Sequence, residues 1–259
     1  MKKLVAFMPL MAVGCAFASL DDGLVAHYEF NGNAKDSSGL GNDGKSRGVE
    51  MVADRNGIEA SACRFDGKAS YIQVNPNEAL DSIKEAVTVT AWIKPTAWDP
   101  NFYMPIVCKG HSTRFYGLMI YGTGNIWLKG KDLGSCFELC RLKPGVNVFA
   151  RAYFKDEIAL GHWQHVAITF GDGIVRAYLN GQLVGKEEAN GPLLSGRSPL
   201  FIGSDPDGDV EYFNGDMDDV RIYNRRLSSV EVEDLYDGDL GWWRSSLRFI
   251  KRCFCSPDE

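Results

Sequence analysis

The sequence has no excess of positive charge and no long hydrophobic run. Its 28 lysines and arginines are outnumbered by 34 aspartates and glutamates, which gives a formal net charge of −6. This balance leaves no electrostatic footprint for nucleic-acid binding over the whole chain. No apolar stretch approaches the ~20 residues that a permanent membrane-spanning helix needs. Nucleic acid is therefore not expected as a partner.

Motifs for several chemistries are also missing. No Cys-x-x-Cys or His-x-x-x-His spacing occurs, so a zinc site has little support. The four histidines form no catalytic triad, and the serines lack the context of a glycine elbow. No glycine-rich phosphate loop follows a strand pattern and opens a helix. Nucleophilic hydrolysis and nucleotide binding therefore have no positive sequence evidence.

The first residues do have the three parts of a secretory signal peptide. Two lysines follow the first methionine, residues 4–13 are apolar, and Ala16-Phe17-Ala18 forms a small-x-small cleavage site. We predict that residues 1–18 are a signal peptide and that the protein is secreted, periplasmic or held at the cell surface. The tetrad that ends at Cys15 resembles a lipoprotein box, so lipidation of Cys15 is the alternative.

The seven cysteines bear on the same question, because exported chains often form disulfides. Cleavage of the signal peptide removes Cys15 and lipidation blocks it, so six cysteines stay available for pairing in either case. An even number of cysteines therefore does not decide between the two processing events. Cys136 and Cys140 lie in GSCFELCRLKPG, which has the composition of a polar, glycine-bounded loop, and we predict a disulfide between them. Cys63 and Cys108 lie in apolar strand patterns, where burial as small hydrophobic side chains and bridging both stay open.

From residue 20 the chain alternates short apolar runs with glycine, asparagine and aspartate, which is typical of strands joined by turns. The pair Asn180-Gly181 predicts the type I′ turn of a hairpin. Ser228 and Glu231 have the spacing of a capping box and predict one late helix. So many strands indicate an all-β sandwich or barrel. The predicted strands are residues 24–30, 62–65, 71–74, 87–94, 105–108, 116–121, 125–129, 146–153, 164–170, 174–179, 183–187, 200–202 and 217–223.

Several segments follow one another along the chain, among them LVAHYEFNGNAKDSSGLGNDG, ACRFDGKASYIQV, VTVTAWIKP, HWQHVAITFGDGIVRAYLNGQLVG, LFIGSD and YFNGDMDDVRIYNRRLSSVEVEDLY. In order and spacing they resemble the laminin-G-like, concanavalin-A-like jelly-roll domains common on exported bacterial proteins. The resemblance implies a domain over residues 20–237. Its expected fold is all-β, a two-sheet antiparallel jelly-roll sandwich with neighbouring first and last strands and one short C-terminal helix.

The resemblance also implies a structural calcium ion, because such jelly rolls often hold one where the N-terminal loop meets the C-terminal strand. Calcium takes six to eight oxygen ligands from carboxylates, amides and carbonyls. The expected ligands are Glu29, Asn31, Asp36, Asp218 and Asp219. The alternative is that these residues form turns and cap backbone amides.

A second acidic segment, SDPDGDVEYFNGD, is compatible with three interpretations. Its spacing is similar to that of an EF-hand loop, but Val210 occupies the place of the glycine that shapes that loop. If extended, its alternate carboxylates would share one face, which resembles the carboxylate row of family-16 glycoside hydrolases. Pro206 and Gly208 disfavour a regular strand, so a solvated acidic loop is the main expectation. The carboxylates concerned are those of Asp205, Asp207, Asp209 and Glu211.

The segment TAWDPNFYMP combines aromatic rings with carboxylate and amide groups, as sugar-binding sites commonly do. Its proline and polar residues indicate a loop. The candidate carbohydrate-binding residues are Trp98, Asp99, Asn101, Phe102 and Tyr103. Exposed aromatic clusters often mark interaction surfaces, but folding of these rings over a sheet edge is an equal alternative.

The C-terminal residues 238–259 differ from the rest in charge. As a helix, residues 241–255 would be basic and amphipathic, with an apolar stripe separate from the cations. Such a segment binds an anionic membrane surface, an acidic partner or its own domain.

Together these features predict a non-catalytic binding module, with no catalytic residue assigned. Its expected partner is a glycan or glycoprotein, its role is adhesion or attachment, and a structural calcium ion fixes its edges. The first alternative is a glycoside hydrolase or polysaccharide lyase on the same fold, and the second is a structural envelope protein without a ligand.

Overall fold

The computed structural model describes residues 19–99, 101–110, 115–122, 125, 135–141, 149–189, 191–205 and 211–238. The predicted signal peptide (1–18) and amphipathic segment (241–255) lie outside these residues, as does the predicted strand 125–129 apart from Asn125. The described part forms two antiparallel sheets, which confirms the predicted two-sheet sandwich. None of its helices is long and apolar enough to cross a membrane.

The first sheet contains β1 (Leu24–Tyr28), β3 (Glu50–Val52), β4 (Ala62–Asp66), β6 (Val87–Pro95), β11 (Gln164–Gly171), β12 (Ile174–Leu179), β13 (Gln182–Glu188) and β15 (Asn214–Tyr223). Its order is β13-β12-β11-β6-β15-β4-β3, and β1 also pairs with β15. Leu24 lies opposite Tyr223 in that pair. The first and last strands are therefore neighbours, as the resemblance implied.

The second sheet contains β2 (Gly44–Arg47), β5 (Tyr71–Val74), β7 (Met104–Lys109), β8 (Tyr116–Tyr121), β9 (Ser135–Arg141), β10 (Phe149–Phe154) and β14 (Leu200–Ile202). Its order is β10-β9-β8-β7-β14-β5-β2. The sequence prediction did not include β2, β3 or β9. Strands β2 and β3 are short and partly exposed, so they lack the apolar alternation that marks a strand in a sequence.

The core lies between the sheets, and alternation along each strand supplies it. In β6 it receives Val87, Val89, Ala91 and Ile93, and in β8 it receives Leu118 and Ile120. Because successive side chains of a strand point to opposite faces, the residues between these point away from the core. Full burial of one aliphatic side chain stabilises the fold by ~1.5–3 kcal/mol.

Two local predictions are confirmed. Asn180 and Gly181 have φ values of 50° and 78° between β12 and β13, as a type I′ turn requires. After the one-turn helix α1 (Glu78–Asp81), the later helix α2 (Ser229–Gly238) begins behind a capping box. Ser228 N donates to Glu231 Oε2 at 2.8 Å, and Glu231 N donates to Ser228 Oγ at 3.2 Å. Helix α2 packs Val232 and Leu235 against Tyr178 and Tyr223, which belong to the first sheet.

Candidate functional site

The outer face of the second sheet, turned away from the core, carries aromatic rings and an ion pair between Glu138 and Arg151. An antiparallel sheet with one face on the core usually presents polar side chains on the other. Here the outward positions of β8, β9 and β10 are Met119, Tyr121, Cys136, Glu138, Arg151 and Tyr153. Rings and sulfur-containing side chains are not expected on a sheet face that only contacts water. We therefore take the outer face as the candidate site.

One part of this face is a buried set of rings, which we call the tyrosine cluster. It consists of Tyr103, Met119, Tyr121 and Cys136, with Tyr153 packed against them. The ring centroids of Tyr103 and Tyr121 are 5.6 Å apart with the planes at 55°. Tyr103 is 8% exposed and Tyr121 is 3% exposed. The cluster therefore forms a packed base rather than an open ring surface.

Glu138 is the charged centre of this base. Arg151 Nε donates to Glu138 Oε2 at 2.6 Å, and the Tyr121 hydroxyl donates to the same oxygen at 2.7 Å. Burial acts to lower the pKa of Arg151, but the charges of Glu138 and Tyr121 outweigh it and raise that pKa. Burial, followed by the Glu138 charge, raises the pKa of Tyr121 well above its ordinary range. Arg151 is therefore cationic and Tyr121 neutral at physiological pH.

A second buried carboxylate joins the tyrosine cluster to the acidic segment. The Tyr103 hydroxyl donates to Asp205 Oδ2 at 2.5 Å. Ser204, immediately before Asp205, forms an isolated bridge with Tyr212. Asp207 and Asp209 lie outside the described residues, so the alternation expected for the acidic segment has no structural description.

The other part of the outer face lies on β2, β5 and β14 and is more accessible. We call Lys45, Arg47, Tyr71, Gln73 and Phe201 the edge platform. Arg47 lies opposite Tyr71, and Lys45 and Phe201 both lie opposite Gln73. The rings of Tyr71 and Phe201 are half-buried and meet edge to face at 5.7 Å. The Arg47 Nη1 donates to the Tyr71 hydroxyl at 3.2 Å.

The predicted carbohydrate-binding loop is divided by the structure. Tyr103 is buried in the tyrosine cluster, whereas Phe102 is 38% exposed. Trp98 lies flat over Gly122, where a Cβ would come within 2.1 Å of its ring. Asp99 Oδ1 accepts hydrogen bonds from the backbone amides of Asn101 and Phe102 at 2.8 and 3.0 Å. The loop thus borders the outer face, with Asn101 and Phe102 exposed, and its sugar binding stays a prediction.

Three of the five expected calcium ligands lie together. Glu29, Asn31 and Asp36 line a pocket of about 220 Å³. Asp36, however, accepts four hydrogen bonds, from His27 N, Ser38 N, Ser38 Oγ and Asn42 N, at 2.8 to 2.9 Å. A carboxylate offers about four lone-pair sites, so the acceptor capacity of Asp36 is already used. This is the turn-forming role that the alternative described.

The other two expected ligands belong to an ion cluster on the first sheet. Arg55 forms an ion pair with Asp218. Asp219 Oδ1 lies 2.6 Å from His27 Nε2 and 3.0 Å from the Arg221 guanidinium. Burial acts to raise the pKa of Asp219, but the hydrogen bond from His27 and the charge of Arg221 lower it. Among the described residues no group of three acidic, histidine or cysteine side chains is arranged to hold a metal. The carboxylates of Asp36, Asp218 and Asp219 are each engaged by donors of the chain itself, and calcium binding stays a prediction.

The predicted Cys136–Cys140 disulfide is wrong. Both residues belong to the extended strand β9, not to a loop. Four residues of strand separate their Cα atoms by about 13 Å, whereas bridged Cα atoms lie roughly 4.4–6.8 Å apart. Phe137 and Leu139 are buried in the core, and this alternation within GSCFELC was the sequence signal for a strand. Cys63 is a buried thiol, and its pKa is raised to about 12, mainly by burial.

Sequence reasoning also missed the edge platform and the role of Glu138. Tyr71 and Gln73 alternate with Ile72 and Val74 in a predicted strand, which put them on one outward face. The pairing of that face with Arg47 required β2, which the sequence does not reveal. The sequence signal for a binding surface was Tyr71, an aromatic residue at an outward position of a strand.

Two antiparallel sheets packed face to face define a jelly-roll sandwich domain. The laminin-G-type model of the concanavalin A-like lectin/glucanases superfamily matches residues 66–233, and the chain belongs to this family. Adhesion G-protein coupled receptor V1 of Danio rerio is 28% identical over 158 residues. The match covers 58% of this chain and only 2% of the receptor.

Solved structures share the fold at low sequence identity. Domain 4 of AbnA, a GH43 extracellular arabinanase from Geobacillus stearothermophilus, in complex with arabinotriose, has a TM-score of 0.64 and 20% identity, covering 82% of this chain and 98% of that one. The binding domain of Paraclostridial Mosquitocidal Protein 1 has a TM-score of 0.67 and 19% identity, covering 86% and 54%. The binding domain of Botulinum Neurotoxin DC in complex with SialylT has a TM-score of 0.60 and 18% identity, covering 85% and 52%.

Proposed function

We propose that the chain is a non-catalytic domain that binds glycans or glycoproteins through the outer face of its second sheet. The observation that carries the proposal is the composition of that face. Half-exposed aromatic rings, which pack against the apolar side of a sugar ring, lie beside amide and guanidinium groups that hydrogen-bond its hydroxyls. Tyr71 and Phe201 supply the rings, and Gln73 and Arg47 supply the polar groups.

The comparisons support a binding role. Two of the similar structures carry a saccharide name in their titles, arabinotriose and SialylT, and both were solved as complexes. Another is titled for the interaction of botulinum neurotoxin type C with two ganglioside molecules. These ligands belong to those proteins, and the shared fold makes a saccharide the first class to test here.

The buried carboxylates favour binding over hydrolysis. A retaining glycosidase uses two carboxyl groups about 5 Å apart, one as nucleophile and one as acid or base. Glu138 is held by Arg151 and Tyr121, and Asp205 is held by Tyr103. We interpret both as groups that fix the outer face, and we assign neither a catalytic role.

The proposed setting is outside the cytoplasm, in keeping with the predicted signal peptide. Lipidation at Cys15 and membrane contact through residues 241–255 stay predictions. Detergent partitioning of the native protein distinguishes a lipid-anchored form from a soluble one. Calcium has no part in the proposed contacts.

A glycan array tests the proposed function. The full chain is compared with a Tyr71→Ala/Phe201→Ala double variant and with Tyr236→Ala, which removes a half-buried ring of helix α2 that stacks on Trp92 of the first sheet. We expect the parent and the Tyr236 variant to bind the same glycans and the double variant to lose them. Absence of glycan binding by the folded parent, or full retention by the double variant, contradicts the proposal.

A further inference from the structure

The edge platform carries two cations that have no acidic partner in the described part of the chain. Lys45 and Arg47 lie two residues apart on β2, so they share one face of this edge strand. Several other cations in the described residues are paired with carboxylates, such as Arg64 with Asp216 and Arg225 with Glu231. On a chain with a net charge of −6, the platform is a local positive surface.

Arg47 is held in place while most of its donors stay available. Its guanidinium lies 5.7 Å from the centroid of the Tyr71 ring, and one nitrogen donates to the Tyr71 hydroxyl. A guanidinium has five N–H donors, and the Tyr71 hydroxyl is the one acceptor found for them among the described residues. An arginine can bind a carboxylate through two parallel hydrogen bonds, one from each of two guanidinium N–H groups to each carboxylate oxygen.

Protection of the sheet edge does not explain the whole arrangement. Lysine on an edge strand prevents pairing with another sheet, and that purpose is served by Lys45 alone. It does not require half-buried rings beside the cations. Tyr71 lies on the same face in contact with Arg47, and Phe201 packs edge to face against Tyr71.

We propose that the edge platform binds a sugar unit that carries a carboxylate. Arg47 takes the carboxylate, Lys45 provides the second positive charge, and the rings of Tyr71 and Phe201 contact the apolar side of the sugar. The proposal rests on the proposed function and narrows its ligand class to acidic glycans.

The test uses pairs of glycans that differ only in charge. Trigalacturonate is compared with its methyl ester, and sialyllactose with its methyl ester, by isothermal titration of the full chain. Arg47→Gln removes the fork, and Lys186→Gln is the matched control because it removes one exposed cation from β13, the edge strand of the other sheet. Circular dichroism checks that each variant is folded.

We expect at least one carboxylated glycan to bind about 10-fold or more tightly than its neutral partner. Arg47→Gln removes most of this preference, and Lys186→Gln leaves it unchanged. Equal affinity for both members of every pair, or a preference that survives Arg47→Gln, overturns the acidic ligand. So does binding of sulfated glycans without any binding of carboxylated ones. If neutral glycans still bind and the Tyr71→Ala/Phe201→Ala variant loses them, the proposed function stands while this inference fails; if no glycan binds, both fail.

Discussion

The Tyr103 hydroxyl and the fully buried Asp205 carboxylate form a 2.5 Å hydrogen bond across 102 residues of chain. It joins the end of the 98–103 loop to the start of the acidic segment. Glu138 is held in the same way by Tyr121 on a neighbouring part of the sheet. Tyrosine–carboxylate bonds thus fix the buried part of the outer face beside the edge platform.

Tyr103→Phe tests the first of these bonds. The substitution keeps the ring and removes the donor, so a buried carboxylate loses one of its partners. We expect a loss of about 1–3 kcal/mol in the free energy of unfolding, measured by urea denaturation. Tyr71→Phe is the control, because its hydroxyl bonds an exposed arginine, and we expect a change within about 0.5 kcal/mol. Equal effects of the two substitutions contradict the buried role of Asp205.

Removal of Arg151 tests the Glu138 group. Arg151→Met leaves a fully buried carboxylate without its countercharge, which costs about 3–5 kcal/mol. In the Arg151→Met/Glu138→Leu double variant neither charge remains, so we expect most of the stability to return. Chemical denaturation of the four proteins of this double-mutant cycle measures the coupling. A double variant as unstable as the sum of its single variants argues against a direct pair.

Calcium dependence is tested by thermal unfolding in calcium and in chelator. Because the Asp36 oxygens are already used by hydrogen-bond donors, we expect the same Tm in both solutions. Asp36→Ala lowers the stability by about 2–4 kcal/mol in either solution, since it leaves buried or half-buried amides without an acceptor. A calcium-dependent rise in the parent that is lost in both Asp36→Ala and Asp219→Ala would establish the metal site that the resemblance implied.

His165 predicts a pH dependence of stability. Burial lowers its pKa to about 3, and the charges of Arg221 and Arg55 act in the same direction against that of Asp219. In the unfolded chain a histidine titrates near ~6.5. Its full contribution to stability is therefore present above pH ~6.5 and is lost progressively as the pH falls toward 3. Between pH 7.5 and 4.5 this loss amounts to about 2–3 kcal/mol.

The variant His165→Phe keeps a ring against Trp92 and removes the titration. We expect acidification to lower the free energy of unfolding of this variant by less than that of the parent, as measured by urea denaturation. Asp218 acts with the opposite sign, because burial raises its pKa to about 7, so the difference between parent and variant is the quantity to compare. His162→Phe, at an exposed position three residues earlier, is the matched control for the substitution itself. A His165 variant with the parental slope contradicts a neutral buried imidazole.

Local sequence patterns predicted the class of fold but not the candidate site, whose contacts join different strands. The Asn180-Gly181 turn and the Ser228–Glu231 capping box are local chemistry, and both are confirmed. The alternation of β5 likewise placed Tyr71 on an outward face. Strand β9 was mistaken for a loop because its polar residues and flanking glycines outweighed the alternation of Phe137 and Leu139. The partner that makes Glu138 a buried residue, Arg151, lies on another strand.

The same limit applies to the expected calcium ligands. Aspartates in a glycine-rich loop have the composition of a metal site and of a hydrogen-bonded turn alike. Which of the two forms depends on donors from elsewhere, such as His27 N for Asp36 and the Arg55 guanidinium for Asp218. The first contact depends on how the loop folds back on β1, and the second joins positions 163 residues apart, so spacing alone did not indicate them.

The most direct test of the outer face as a binding surface is chemical-shift mapping by NMR. The labelled protein is titrated with the glycan that binds most strongly on the array. We expect the largest shifts at Tyr71, Gln73 and Phe201, with β12 and β13 of the opposite sheet unchanged. Shifts confined to the first sheet or to helix α2, with the edge platform unaffected, would contradict the assignment.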